Sequence, residues 1–403
     1  MQSEQLFTQI CTIFAKKQTP HGTMNYFIIA GEASGDIHGS QLVASIKKAD
    51  EKAEFRFLGG DMMAQEAGHA PIIHYRDMAF MGFVEVLKHL GSIMGFMRTV
   101  KAEISANRPD ALILIDYPSF NLRVAEYAHN IGIPVFYFIS PKVWAWKEFR
   151  VKQIKKCVDH MFSILPFEVS FYKKHNYAVQ YVGNPTVKEI AEASLNFRSR
   201  NEFLAANGCS VGKPIIALVP GSRVKEIKDN LPTMVAAASQ HPDHTAIIAG
   251  APGIDHSLYA HVLGGYDLPV VYGQTFELTH HAHAALVTSG TATLETALLR
   301  TPQVACYRMN GSKLIYNFYR RLIHGRFVTL PNLIADKPVI PELLLHHCTP
   351  HAIDGILSQL LDDGSALRAS MLAGYDEVAR MLGDNDCTAT AAAQIVSIIA
   401  PKG

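Results

Sequence analysis

The sequence has no surplus of either charge. Among 403 residues, 37 Lys and Arg face 36 Asp and Glu, a formal net charge of +1. That balance excludes a general polyanion binder and disfavours nucleic acid as a partner. Apolar runs are short, and none approaches the ~20 residues that cross a bilayer as a helix. The first residues, MQSEQLFTQICTIFAKKQTPHGT, lack the signal-peptide pattern, because the apolar stretch is brief and the basic pair follows it. Cysteines are few and scattered: Cys11, Cys157, Cys209, Cys306, Cys348 and Cys387 show no paired spacing of the zinc or redox kind. They read as free, mostly buried thiols of a reducing compartment. Carboxylate pairs suited to a cation are nearly absent. The one Asp-x-Asp string, Asp384-Asn385-Asp386, lies far down the chain and reads as a solvated loop. His280, His281 and His283 are spaced irregularly for zinc and read as surface histidines. No metal and no cofactor are expected.

What is present is apolar material for a sizeable core, with 48% hydrophobic residues and 18% charged. Disorder is excluded as the main state, and the length suggests two domains. Residues 1–23 read as an extension before the first strand, with Met24 directly ahead of it. From there, short runs rich in β-branched and aromatic residues alternate with helix-length segments. The strands expected in the first half are 26–30, 55–59, 111–116, 134–139, 160–165 and 179–183. A polar helical stretch, 187–213, interrupts the rhythm, which restarts at 214–222, 244–250, 268–273, 284–290 and 302–308. Such alternation implies parallel sheets covered on both faces. The expected architecture is α/β, with two doubly wound parallel-sheet domains facing each other across a cleft. Their expected ranges are 24–186 and 187–365, followed by a C-terminal segment, 366–403. Ligands of such sheets bind outside the carboxyl ends of the strands.

Four strand ends carry polar groups there. The first strand runs into GEASGDIHG (31–39), whose glycines are spaced four apart, unlike the dinucleotide fingerprint, and whose acids Glu32 and Asp36 would repel a pyrophosphate. Glu32, Ser34, Gly35 and Asp36 are the candidates there to meet an acceptor; the plain alternative is a tight turn with Asp36 capping its helix. Asp116 ends the strand ALILID, placed to act as general base on a hydroxyl or to bind loop amides. In the second half, VPGSR (219–223) offers Gly221 for the turn, Ser222 for a cap and Arg223 for a phosphate. SGTATLE (289–295) places Ser289, Gly290, Thr291 and Ala292 at a helix start, and Glu295 one turn on, within reach of ribose hydroxyls. Together these suit a nucleotide-sugar donor held by the second domain and an acceptor activated by the first. Without a metal, Arg223 and the helix dipoles must stabilise a diphosphate leaving group.

Two stretches are rich in apolar or basic-aromatic surface. In 78–104, Phe83, Leu87, Leu90, Met94 and Met97 form one stripe at helical spacing, suited to a core helix or to lipid. In 313–327, Arg320, Arg321 and Arg326 are interleaved with Tyr316, Phe318, Tyr319 and Phe327, a composition suited to an anionic membrane surface.

These motifs, with MGFVEVL (81–87), IDYPSFN (115–121), SPKVWAW (140–146), LPFE (165–168) and LPN (330–332), run in an order that closely resembles the bacterial lipid-A-disaccharide synthase family. The resemblance implies a GT-B fold and an inverting, metal-independent glycosyltransferase. It implies transfer of 2,3-diacylglucosamine from its UDP derivative to the 6-hydroxyl of 2,3-diacylglucosamine 1-phosphate, giving a β-1,6-linked disaccharide and UDP. It makes Asp116 the base, assigns UDP to Ser222, Arg223, Ser289, Gly290, Thr291 and Glu295, and sets Asn332 near the donor. It further implies C-terminal helices returning to the first domain, a dimer in some members, and peripheral attachment to the cytoplasmic face of the inner membrane. This chain carries Asn184 where many relatives carry His, which leaves a hydrogen-bonding role at that position. Two other readings compete: another UDP-sugar enzyme of this fold, such as an epimerase or a polyprenyl-lipid transferase, and a non-catalytic UDP-sugar-binding protein.

Overall fold

The computed structural model describes residues 23–78, 90–145, 148–288, 290–308 and 327–400. The first sheet comprises β1 (Asn25–Ala30), β2 (Glu54–Gly59), β3 (Ile73–His74), β4 (Ala111–Ile115), β5 (Val135–Phe138), β6 (His160–Ser163) and β7 (Gln180–Tyr181), in the order β3-β2-β1-β4-β5-β6-β7. The second comprises β8 (Ile215–Val219), β9 (Thr245–Gly250), β10 (Val270–Tyr272), β11 (Ala282–Val287), β12 (Gln303–Tyr307) and β13 (Glu342–Leu344), in the order β10-β9-β8-β11-β12-β13. The eleven strands read from apolar runs all form. The two that no run announced, β3 and β13, are edge strands of two and three residues.

Burial explains the runs. All five residues of β4 and all five of β8 are buried, as strands covered by helices on both faces must be. In β8 the side chains alternate between two cores. Ile216 and Leu218 join Leu286 and Val304 on one face, while Ile215, Ala217 and Val219 join Ala285 and Val287 on the other.

In each sheet the strand order reverses once, between β1 and β4 and between β8 and β11. Ala30 pairs with Ile115 and Val219 with Val287 at the carboxyl ends of these neighbours. Chain leaving two adjacent strands in opposite directions opens a crevice there.

The chain divides into two compact units. One holds residues up to Pro141, Val151–Phe162 and those from Thr388; the other holds Lys142–Arg150 and Ser163–Cys387. The helix Ala366–Leu382 stays with the second unit, where Tyr375 donates to the Thr301 carbonyl (3.1 Å). The return to the first unit therefore comes at Cys387/Thr388, later than residue 366, and Ser45 meets Thr388 there (3.3 Å).

Candidate active site

In the first unit, the elbow after β4 carries Asp116 at φ 42° and Tyr117 at φ 47°. Two successive left-handed non-glycine residues each cost about 1–3 kcal/mol and persist only where the surroundings fix them. Two side chains fix this one. The Asp116 carbonyl accepts from Asn121 Nδ2 (2.7 Å) and from the Tyr137 hydroxyl (2.5 Å). The elbow then starts the helix Pro118–Asn130 and leaves the Asp116 side chain half-buried at the sheet end. The Tyr117 ring crosses to β1, where a Cβ on Gly31 would lie 2.4 Å from it; only glycine fits there. Burial above all, then the Glu32 charge, raises the Tyr117 phenol above its ordinary range.

Glu32 is the extended N-cap of the helix Ala33–Ala49, and both it and Ser34 are exposed. Gly35 is buried, 3.2 Å from the Ala30 Cβ if it carried its own. Asp36 does something else. It is 4% exposed, and its carboxylate accepts the N–H groups of Gly60 (2.7 Å), Met62 (3.1 Å) and Met63 (3.1 Å). It holds the start of the next helix, Asp61–Ala67, rather than capping its own or facing an acceptor.

In the second unit, β8 ends in a turn where Gly221 sits at φ +109°, and a Cβ there would strike Glu226 at 2.6 Å. Glu226, in the first turn of the helix Val224–Ala238, accepts the N–H groups of Ser222 (3.0 Å) and Arg223 (3.3 Å). The Arg223 side chain is 75% exposed, its guanidinium 3.7 Å from the same carboxylate. Beside it, after β11, Gly290 and Thr291 are exposed at the start of the helix Gly290–Leu298, and Ala292 is half-buried. Thr288, 1% exposed at the end of β11, has a buried hydroxyl without a partner among the described residues. Ser289 lies outside the described residues. Burial first, then the Glu189 charge, raises the Glu295 carboxyl to about 7.

Asn332 and Asn184 are structural. Asn332 is 1% exposed and donates to the Ile340 carbonyl and to Glu342 (both 2.9 Å). Its Oδ1 accepts from Val339 (2.7 Å) and Ile340 (2.8 Å). Both amide hydrogens and both lone pairs are occupied, so the side chain shapes the loop leading to β13 and offers nothing to a donor. Asn184 caps the helix Pro185–Ser194 by accepting from Thr186 (3.0 Å) and donates to the Ile164 carbonyl (2.8 Å). Sequence reading missed Asn121, Tyr137, Glu226 and Glu342, which act on backbone groups near the site. It also missed that SPKVWAW and LPFE are joined: Trp144 Nε1 donates to the buried Glu168 (2.8 Å).

Of the surface candidates, Phe83, Leu87, Arg320, Arg321 and Arg326 lie outside the described residues. Met94, in the helix Leu90–Ala106, is 57% exposed.

Among solved structures, the S. aureus MnaA–UDP complex superposes with a TM-score of 0.64 at 11% identity, covering 93% of this chain and 97% of that one. The calicheamicin glycosyltransferase CalG4 gives 0.56 at 13%, covering 95% and 99%. These likenesses show a GT-B fold. In sequence, the lipid-A-disaccharide synthase of Acidobacterium capsulatum is 37% identical over 91% of this chain and 94% of its own length. That of Geobacter sulfurreducens is 35% identical over 95% and 98%. The family model described as lipid-A-disaccharide synthetase matches residues 26–397, and the chain belongs to that family.

Proposed function

We propose that Asp116 is the general base of the family's reaction and that the turns after β8 and β11 hold UDP. The chain is a glycosyltransferase of lipid A assembly. It transfers 2,3-diacylglucosamine from UDP to the 6-hydroxyl of 2,3-diacylglucosamine 1-phosphate. The hydroxyl attacks the anomeric carbon as the Asp116 carboxylate takes its proton. The bond to the diphosphate breaks on the opposite face, and inversion gives the β linkage. Charge developing on the departing diphosphate meets Arg223 and the N–H groups at two helix starts, those of Val224–Ala238 and Gly290–Leu298.

The observation that carries this reading is the elbow at Asp116. Its backbone is strained, and two side chains hold it in that form, Asn121 and Tyr137. Anchored strain at the carboxyl end of a central strand is the kind of feature that accompanies functional sites. The test is UDP release from the diacylated donor, measured beside UDP-N-acetylglucosamine. Asp116→Asn is expected to lower turnover about 100- to 10,000-fold while UDP affinity stays within about twofold. Near-normal turnover in that variant would move the base elsewhere.

Both sugar substrates carry two acyl chains, and no helix among the described residues is long and apolar enough to cross a membrane. We therefore place the enzyme peripherally on the cytoplasmic leaflet of the inner membrane, docked through the 83–97 face and the arginines at 320, 321 and 326.

A further inference from the structure

The hydrogen bonds at the Asp116 elbow select one direction for its side chain. Asn121 Nδ2 donates to two carbonyls, that of Ile115 (3.2 Å) and that of Asp116 (2.7 Å). These carbonyls belong to the two peptides that flank the Asp116 Cα. With both peptide planes held, φ and ψ of Asp116 are fixed, and so is the direction in which its Cα–Cβ bond leaves the chain. The Tyr137 hydroxyl is a second donor to the Asp116 carbonyl, at 2.5 Å. Tyr137 lies in β5 opposite Leu114 of β4, so the sheet, not the elbow, sets its ring. Both donors belong to side chains that are 0% exposed.

This arrangement asks more of the fold than a strand-to-helix turn requires. Asn121 stands in the first turn of the helix Pro118–Asn130, where its N–H already bonds the Tyr117 carbonyl (3.1 Å). Its amide side chain is therefore not needed to start the helix. It leans back toward the N-terminus, as helical side chains do, and meets the two carbonyls before it. Its own Oδ1 is left buried and without a partner among the described residues, an unfavourable state for an amide oxygen. Released from both donors, Asp116 and Tyr117 would relax from positive φ to the unstrained region, and the peptide between them would rotate. That rotation swings the Asp116 carboxylate while strand and helix stay in place.

We propose that Asn121 and Tyr137 are positioning residues for the transfer, aiming the Asp116 carboxylate at the acceptor hydroxyl without touching substrate. The proposal rests on the reading of Asp116 as the base. Proton transfer needs carboxylate and hydroxyl within hydrogen-bond reach, and a displacement of about 1 Å lowers a rate by on the order of 100-fold. Loss of one donor loosens the elbow, and loss of both releases it. The turns after β8 and β11, assigned to UDP, share no hydrogen bond with either donor. The two residues therefore act on kcat and leave donor binding alone.

The test is a double-mutant cycle on the full chain. Tyr137→Phe and Asn121→Ala are each made in the wild type and in Asp116→Asn, and kcat, donor KM and UDP affinity are measured for all. In the wild-type background each is expected to lower kcat about 10- to 100-fold, with donor KM and UDP affinity within about twofold. In Asp116→Asn there is no base to aim, so neither is expected to lower kcat further by more than about twofold. A merely structural role gives the same fold-loss in both backgrounds, and that result overturns the proposal. Tyr137→Phe removes one oxygen atom and keeps the ring, so it decides the matter should Asn121→Ala not fold. If Tyr137→Phe turns over within about twofold of wild type while Asp116→Asn is slow, the positioning role falls and the base stands. Near-normal turnover in Asp116→Asn overturns the base, and the positioning role with it.

Discussion

The Glu226 carboxylate accepts the backbone N–H of Ser222 at 3.0 Å and so occupies an amide that the proposed diphosphate site would use. Arg223 offers its own N–H to the same oxygen at 3.3 Å. An incoming phosphate must displace one carboxylate to gain both amides. Its affinity is therefore the difference between two anions competing for one helix start.

Glu226→Ala should separate the two roles. Losing the carboxylate removes a helix cap, which costs about 0.5–2 kcal/mol of stability. It also frees the amides and removes a negative charge beside Arg223, so UDP should bind more tightly. Thermal unfolding and calorimetric titration with UDP measure the two effects. Weaker UDP binding by a folded Glu226→Ala protein would mean that the carboxylate assists the ligand.

Asn332 should behave as a structural residue. Asn332→Ala removes four hydrogen bonds, leaves the buried Ile340 N–H without its acceptor and leaves Val339 only the Lys337 carbonyl (2.9 Å). An unsatisfied buried group costs about 1–3 kcal/mol, so a loss of about 2–4 kcal/mol in denaturant unfolding is expected. UDP affinity per folded molecule should change little. A tenfold loss of affinity at unchanged stability would return Asn332 to the donor site.

Strands were legible because a strand buried on both faces must be apolar throughout, and ALILI and IIALV have no other reading. β3 and β13 were not, because two or three residues at a sheet edge need no pattern. The small-residue turns were legible for a related reason: close approach demands glycine, as Tyr117 demands it at Gly31. The roles of Asp36 and Asn332 were hidden because their partners are backbone amides, which every sequence supplies. Asp36 reads as a cap for its own helix, yet its partners begin 24 residues on, at Gly60. His283, which reads as a surface residue, is half-buried and bonded to His244 and Asp363 (both 3.1 Å). A bulge in β11 there offsets the pairing expected from alternation.

Membrane docking should divide into two parts. Each arginine near an anionic surface contributes ~1 kcal/mol, screened over about 8 Å at physiological ionic strength. Apolar insertion is not screened in this way. Changing Arg320, Arg321 and Arg326 to Ser should abolish the salt-sensitive share of binding to anionic vesicles. Changing Met94, already 57% exposed, together with Leu87 to Ser should reduce the remainder. Sedimentation measures both, and wild-type protein left in the supernatant at low salt would sink the idea.

The Glu295 carboxyl, raised from 4.5 to about 7 by burial and then by Glu189, links stability to pH and, if it meets the ribose as proposed, ligand binding too. Between these values the folded chain holds a proton that the unfolded chain has released. Stability from this group is therefore greatest below about 4.5 and falls as pH rises through about 7. Glu295→Gln should remove that slope and raise stability at pH ~8 by on the order of 1–3 kcal/mol, the half-buried position reducing the full effect. Binding should run the opposite way. If the ionised carboxylate accepts the ribose hydroxyls, a nucleoside must displace the proton to bind, and affinity should fall by up to ~tenfold per pH unit below the titration. Uridine is the suitable probe, because it has no phosphate of its own to titrate. Wild-type protein should bind it more weakly at pH ~6 than at ~8, whereas Glu295→Gln should bind weakly and without pH dependence. Parallel profiles for the two proteins would show that Glu295 does not meet the ribose, even if its effect on stability is as described.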